Sequence, residues 1–139
     1  MDVTKNLQNI IETICLSETV DSLHFWGPKL ILSAANTSIY DEVYIHIEGA
    51  FSIIENEQTI AMGVGDSMRL QQLCRLAFHK ISAIKVIAAN DLCFIFESGI
   101  QLYLFGDNGV FESWQLEARV EEKQLLIVAG PGERVSIFG

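Results

Sequence analysis

A regular alternation of apolar and polar side chains between residues 92 and 117 limits the possible folds of this chain more than any other feature. Side chains of a β-strand point to opposite faces in turn, so an alternation of period two indicates strands with one buried face. Two short segments, ESG at 97–99 and GDNG at 106–109, interrupt the alternation and have the residues that hairpin turns favour. The pattern therefore predicts three short strands, the last of them over 110–117, that form an antiparallel meander.

A similar series of segments occurs earlier in the chain. The segment VDSLHFWGPKLIL at 20–32 aligns with LCFIFESGIQLYL at 92–104, and this alignment places Gly27 over Gly99. It predicts two related β-meander pseudo-repeats, with chance similarity between two ordinary hairpins as the alternative. Two copies are too few to indicate a solenoid.

Three other segments also have strand patterns. Residues 43–47 alternate between apolar and polar side chains, which predicts a half-buried strand. Residues 51–63 predict a hairpin that turns near Asn56, and residues 124–139 predict a terminal hairpin around a Gly-Pro-Gly turn.

The period of the hydrophobic pattern changes at about residues 67–78. Apolar side chains recur there at i, i+3, i+4 and i+7, namely at Leu70, Leu73, Cys74 and Ala77. We therefore predict one main helix over about 67–78, with Asp66 or Ser67 as its N-cap. The N-terminus is ambiguous, and we predict a short helix near residues 4–10 and a strand from about Ile11.

Together these patterns predict an α+β protein that is mainly antiparallel β, with the two pseudo-repeats forming a curved sheet or a sandwich. The length of 139 residues fits a single domain, residues 1–139. A chain of this size buries about two thirds of its unfolded surface, which is enough for a core without staples.

The charge of the chain restricts its partners. It has 9 basic and 18 acidic side chains, a net charge of −9 at neutral pH. The basic residues are scattered singly, whereas nucleic-acid binding needs a clustered cationic face. The same field repels an anionic membrane and attracts basic proteins, although the plainer interpretation is that it keeps the domain soluble. We expect no nucleic-acid partner and no membrane partner.

The start of the chain has no basic region followed by a long apolar run, and the three cysteines are far apart. These features predict no signal peptide, no disulfide framework and a cytoplasmic location. We also expect no enzyme activity, no cofactor and no metal, since catalytic motifs are missing and His24, His46 and His79 lack ligand spacing. The thiols of Cys74 and Cys93 are expected to be buried in the core.

Glu112 and Trp114 stand two residues apart on the last strand of the predicted meander and would share one face of it. In one interpretation, Glu112 caps the GDNG hairpin through backbone amides while Trp114 closes the end of the sheet. In the other, both frame a shallow groove, because interface hot spots often combine an aromatic anchor with a charge. A second group joins an acidic turn to aromatic rings: Tyr40, Asp41, Glu42 and Tyr44. We predict that both groups contribute to partner binding.

The segment LCFIFESGIQLYLFGDNGVFESWQLE combines a hairpin that contains Phe96 and Gly99 with a strand that contains Glu112 and Trp114. This pattern resembles that of a loosely defined set of small bacterial β-rich domains, some of which look like immunity proteins. Immunity proteins neutralise a toxin delivered by a neighbouring cell. The resemblance implies no catalytic residues.

The first functional interpretation is therefore a non-catalytic binding protein, specifically an immunity-type protein that neutralises a basic toxin through an acidic surface. The alternative is a small-molecule-binding domain or minor enzyme with a pocket in the curved sheet, near Trp114, Glu112, His24 or His46. A third interpretation is self-assembly, for example as a dimer, through exposed strand edges.

Overall fold

The computed structural model describes residues 3–37, 39–107, 109 and 112–139 of the chain. The helices in this part are α1 (Val3–Cys15) and α2 (Arg69–Leu73), and a 3-10 turn at Cys74–Leu76 follows α2. The strands are β1 (Val20–His24), β2 (Lys29–Leu32), β3 (Glu42–Ile47), β4 (Phe51–Glu55), β5 (Gln58–Met62), β6 (Ile81–Ile87), β7 (Asp91–Phe96), β8 (Gln101–Leu104), β9 (Trp114–Val120), β10 (Lys123–Ala129) and β11 (Val135–Phe138). The predicted class, α+β with mainly antiparallel strands, is confirmed.

The strands form two antiparallel sheets rather than one curved sheet. The first sheet has the order β1-β2-β3-β9-β10-β11, and the second has the order β5-β4-β8-β7-β6. One hydrophobic core contains buried side chains from both sheets and from α1. Its largest fully buried side chains include Trp114, Phe51, Phe94 and Phe96.

Helix α1 continues to Cys15, so the strand predicted from Ile11 is wrong. Leu7, Ile11 and Ile14 lie on one helical face and are all buried in the core. Burial of that face outweighs the preference of isoleucine for strands, which depends on context.

The prediction of one main helix over 67–78 is also wrong, since α2 has five residues and α1 is the longer helix. The chain leaves its helical path at Ala77, whose ψ is 128°, and the next residue, Phe78, has φ of +68° and donates its backbone N–H to Val20 O. Pairing with a distant strand therefore ends the helix earlier than the local pattern indicates. Cys74, expected in the core, is exposed in the 3-10 turn.

The predicted hairpins β4–β5 and β10–β11 are confirmed, as is the half-buried strand β3. The predicted meander is correct only for β7 and β8. Strand β9 does not pair with β8; it lies in the first sheet between β3 and β10. The chain crosses between the sheets after β8, because β4 already occupies the free edge of that strand.

The two sheets meet at one corner, where an isolated antiparallel bridge joins Thr19 to Lys80. The N–H of Ser17 donates to Ile81 O at 3.0 Å, and the N–H of Phe78 donates to Val20 O at 2.8 Å. Ser17 and Phe78 are separated by the same number of residues as Val20 and Ile81. The second hydrogen bond is therefore equivalent to the first, with the two halves of the chain exchanged. Ser17 and Phe78 also have nearly equal positive φ angles, 70° and 68°. This corner is a local pseudo-two-fold axis.

The same relation extends to the strands. Hairpins β1–β2 and β6–β7 both have a register shift between the first and third residues of their first strand. Strand β3 pairs with β9, and its counterpart β8 pairs with β4. Each sheet therefore combines a three-stranded meander from one half with a hairpin from the other half, and β11 is added to the hairpin in the first sheet. Phe51 and Trp114 occupy equivalent positions, opposite Leu104 and Ile47 respectively.

The alignment predicted for the pseudo-repeats, with Gly27 over Gly99, is wrong by one strand. It aligns β1 with β7, whereas the geometry makes β1 equivalent to β6. Gly27 lies in the turn between β1 and β2, and Gly99 lies in the non-equivalent turn between β7 and β8. Hairpins with similar apolar spacing align at several registers, so the sequence pattern cannot distinguish them.

Candidate functional site

The six residues predicted to bind a partner lie at two separate ends of the first sheet. Glu42 is opposite Arg119 at one end of the β3–β9 pair, and Ile47 is opposite Trp114 at the other end. Extended strand separates Glu42 from Ile47 by about 17 Å, at about 3.4 Å per residue. Tyr40, Asp41, Glu42 and Tyr44 therefore form one group, and Glu112 and Trp114 belong to another.

Trp114 is fully buried, so its side chain offers no surface to a partner in this fold. Its indole Nε1–H donates to Asn90 O at 2.9 Å, which satisfies the polar end of the ring. This position matches the interpretation in which Trp114 closes the end of the sheet. Glu112 is exposed, and its carboxylate accepts a hydrogen bond from Gln115 Nε2 at 2.8 Å.

The capping role predicted for Glu112 belongs to Asp107 in the described residues. Asp107 Oδ1 accepts the backbone N–H groups of Gly109 at 3.2 Å and Gly132 at 3.0 Å. Residues 108, 110 and 111 of the predicted hairpin and strand lie outside the described residues. The short polar side chain of Asp107 reaches the turn amides directly, as aspartates in turns commonly do.

The acidic group at the start of β3 is larger than predicted, because the β9–β10 turn lies beside it. The backbone N–H of Asp41 donates to Arg119 O at 2.8 Å, and a surface hollow of about 380 Å³ is lined by Asp41, Glu42, Arg119 and Glu121. We call the four exposed carboxylates of this region the acidic edge: Asp41, Glu42, Glu121 and Glu122.

The turn of the acidic edge is conformationally costly. Glu121 and Glu122 connect β9 to β10, and Glu121 has φ of +53°. Two-residue hairpin turns favour asparagine, aspartate and glycine at such positions, since other side chains are strained there. Glu121 instead places a carboxylate at the tip of the turn.

Tyr44 connects the acidic edge to the open face of the first sheet. Burial raises the pKa of Tyr44, and the hydrogen bond to Glu42 and the negative charge of that carboxylate raise it further. Lys29 Nζ lies 4.4 Å from the centre of the Tyr44 ring, a cation–π distance. Tyr40 is partly buried and packs against the core.

A buried carboxylate anchors the loop that precedes the acidic edge. Glu18 has no exposed surface. Its carboxylate accepts hydrogen bonds from Ser33 Oγ at 2.5 Å and from the N–H groups of Ala35 at 2.7 Å, Asn36 at 2.9 Å and Thr37 at 2.8 Å. Burial by itself would raise the pKa of Glu18, but these hydrogen bonds to the charged form outweigh it and lower the pKa. Sequence reasoning missed Glu18. The neighbouring sequence does not mark it, because its hydrogen-bond partners lie in the segment that follows β2.

The pair of His79 and Ser98 has the distance of a base and a hydroxyl nucleophile, with 2.6 Å between Nδ1 and Oγ. His79 is the counterpart of Glu18 across the pseudo-two-fold axis, and both side chains contact a serine beyond the end of a strand in the following hairpin. The contact between His79 and Ser98 therefore has the same loop-closing role in the second half that Glu18 has in the first half.

Histidines and cysteines do not converge in the described part of the chain. No three His, Cys, Asp or Glu side chains there are close enough to hold a metal ion. His24 and His46 lie on β1 and β3, with β2 between them. His46 contacts Glu117 at 3.2 Å on the outer face of the first sheet, whereas Trp114 faces the core. The geometry thus gives no support to a shared pocket formed by these side chains. Burial raises the pKa of the Cys15 and Cys93 thiols, which disfavours the reactive thiolate.

No protein-family model, no curated protein and no solved structure matches this chain. In the described residues, neither helix has the length and apolar character needed to cross a bilayer.

Proposed function

We propose that this chain is a non-catalytic binding protein whose acidic edge covers a cationic surface of a protein partner. The observation that carries the proposal is the placement of four exposed carboxylates on two adjoining strand ends. Arg119 and Lys123 are the neighbouring cations on these strands, which leaves the edge with a net charge of about −2 within a protein of net charge −9. Such a concentrated field accelerates encounter with a basic partner and selects its orientation.

The frame of the acidic edge suits rigid docking. Strands β3, β9 and β10 are neighbours in the first sheet, and their inner faces contribute buried side chains to the core. Glu18 holds the preceding loop through four hydrogen bonds. A preorganised surface loses little conformational entropy on binding, so more of the electrostatic attraction becomes affinity.

A toxin is the partner class that we propose, in agreement with the resemblance of the segment around Phe96, Gly99, Glu112 and Trp114 to immunity-type domains. A toxin that acts on nucleic acid needs a cationic substrate surface. An acidic protein that covers such a surface inhibits without catalysis and would act in the cytoplasm.

A charge-reversal pair tests this proposal. The variant Asp41→Lys/Glu121→Lys and the control Asp21→Lys/Glu133→Lys change the net charge equally, and all four side chains are exposed. Each is co-expressed with every basic protein encoded beside the gene, and growth and affinity are measured. We expect the acidic-edge variant to stop protecting the cells and to bind the partner about a hundredfold more weakly. Each reversal replaces an attraction by a repulsion of about 1 kcal/mol or more. Equal affinities of the two variants would refute the acidic edge as the binding surface.

We also propose that the two halves descend from one duplicated unit of a helix and five strands. The equivalent bulges, the equivalent exchange of hairpins and the backbone hydrogen bonds repeated at the corner of the sheets support this origin. Strand β11 has no counterpart in the described part of the first half.

A further inference from the structure

The turn between β1 and β2 exposes two large aromatic side chains. Phe25 is 74% exposed and Trp26 is 88% exposed, the highest value among the exposed large hydrophobic residues of the described chain. Together with Leu23 and His24, they line an open hollow of about 270 Å³. Isolated exposed apolar residues are common, but adjacent aromatic rings on a hairpin tip form a patch, and tryptophan is among the residues most enriched in binding hot spots.

The exposed rings of Phe25 and Trp26 and two carboxylates belong to the same end of the first sheet. The N–H of Ile47 donates to the carbonyl O of Pro28 at 3.0 Å. Pro28 lies two residues after Trp26, and Glu48 directly follows Ile47. The N–H of Glu48 donates in turn to Ser113 O at 3.0 Å, which brings Glu112 to the same end of the sheet.

Gln115 holds the two carboxylates on one side. Its Nε2 lies 2.8 Å from Glu112 Oε2 and 3.5 Å from Glu48 Oε1. No ion pair involves either glutamate among the side chains that the structure describes. Lys29, the nearest cation in the strand register, has its Nζ over the ring of Tyr44, and the buried guanidinium of Arg69 donates to Ile47 O at 3.0 Å rather than to a carboxylate. This end of the sheet thus combines aromatic rings with two carboxylates that form no ion pair with a described side chain.

We propose that Phe25 and Trp26, with Glu48 and Glu112, form a second docking surface for an arginine- or lysine-containing segment of a protein partner. A guanidinium or ammonium group stacks on the indole of Trp26 while a carboxylate pairs with its charge, an arrangement that only a cation satisfies. The partner class rests on the proposed function, but the surface is separate from the acidic edge, at the opposite end of β3. A membrane is the less suitable occupant, because Glu48 and Glu112 would be brought against lipid headgroups and the net charge of −9 repels anionic bilayers.

The two tryptophans of the chain make this surface measurable. Trp26 is exposed and Trp114 is fully buried, so acrylamide quenches the fluorescence of Trp26 while Trp114 serves as an internal reference. The probe is a synthetic peptide of six arginines alternating with glycine, labelled for anisotropy and titrated at low and high salt. The comparison probe is a phosphatidylcholine vesicle.

We expect the peptide to protect Trp26 from quenching, and Phe25→Ala/Trp26→Ala to weaken peptide binding about tenfold or more. The variant Glu48→Gln/Glu112→Gln should weaken binding several-fold and reduce its salt dependence. Phe78→Ala is the matched control, since Phe78 is 79% exposed but lies at the other end of β1, and it should bind as the native chain does.

Unchanged affinity of Phe25→Ala/Trp26→Ala, or protection of Trp26 by the vesicle and not by the peptide, would overturn this inference. The variant Asp41→Lys/Glu121→Lys separates it from the proposed function. If only the proposal for the acidic edge is wrong, this variant protects cells as the native chain does, and the peptide still shields Trp26 from acrylamide. If only the proposal for Phe25 and Trp26 is wrong, the same variant no longer protects cells, and the peptide leaves Trp26 open to quenching.

Discussion

Replacing Glu18 by glutamine should destabilise the protein severely, although the two side chains have nearly the same shape. The Glu18 carboxylate accepts four hydrogen bonds in a site without exposed surface. Glutamine keeps one acceptor oxygen and turns an NH₂ group toward backbone N–H donors. Hydrogen bonds to a charged group contribute about 1.5–3 kcal/mol each, and loss of one member of a buried charged network typically costs about 3–5 kcal/mol. We expect Glu18→Gln to lose about 3–5 kcal/mol of unfolding free energy.

Urea unfolding at neutral pH measures this loss. The control Ser33→Ala removes one of the four donors and keeps the carboxylate, so it should cost about 1.5–3 kcal/mol. Domains of this size have about 5–15 kcal/mol of stability, and Glu18→Gln should therefore remain folded but with a much lower urea midpoint.

The pH dependence distinguishes the charge from the shape of Glu18. Its pKa is lower in the folded protein than the unfolded value of about 4.3, so the unfolded state binds the proton more readily. The stabilisation by this carboxylate is complete above the unfolded pKa and is lost as pH falls through the folded pKa. The difference between the native chain and Glu18→Gln should therefore shrink in acid. A loss below about 1 kcal/mol at neutral pH, or a difference that is constant from about pH 3 to 7, would refute the reasoning.

Two further substitutions test the local geometry by the same unfolding assay. Phe78→Asn should stabilise the protein by about 0.5–1 kcal/mol, because Phe78 has φ of +68° and asparagine tolerates that region better; a loss of stability would contradict this. Gly106→Ala should cost more than about 2 kcal/mol, since its Cβ would overlap the side-chain amide and the backbone carbonyl O of the buried Asn90, whereas Gly63→Ala meets no atom within 4 Å. Equal stabilities of the two alanine variants would show that the close approach at Gly106 relaxes easily.

Much of the candidate site could be predicted because exposure and charge are local properties. Asp41 and Glu42 are exposed at the start of β3, and Glu112 is exposed beside β9, where the sequence predicted interacting acids. For Trp114 the sequence left a core and a groove interpretation open, and it did not single out Trp26. Trp114 is in the core, and Trp26, in a turn beside glycine and proline, is the exposed ring. Alternation shows that two faces differ but does not show which face is covered.

The sequence by itself determined where most strands lie, that they are antiparallel, and that the surface is acidic, because these features follow from side-chain period, turn residues and composition. Only the tertiary structure decided that β9 leaves β8 to pair with β3, that α2 ends at Leu73, and that Glu18 closes a loop. Those outcomes depend on partners far apart in the chain. A strand pattern specifies its own pleat but not the strand that pairs with it, and burial in a shared core settles that choice.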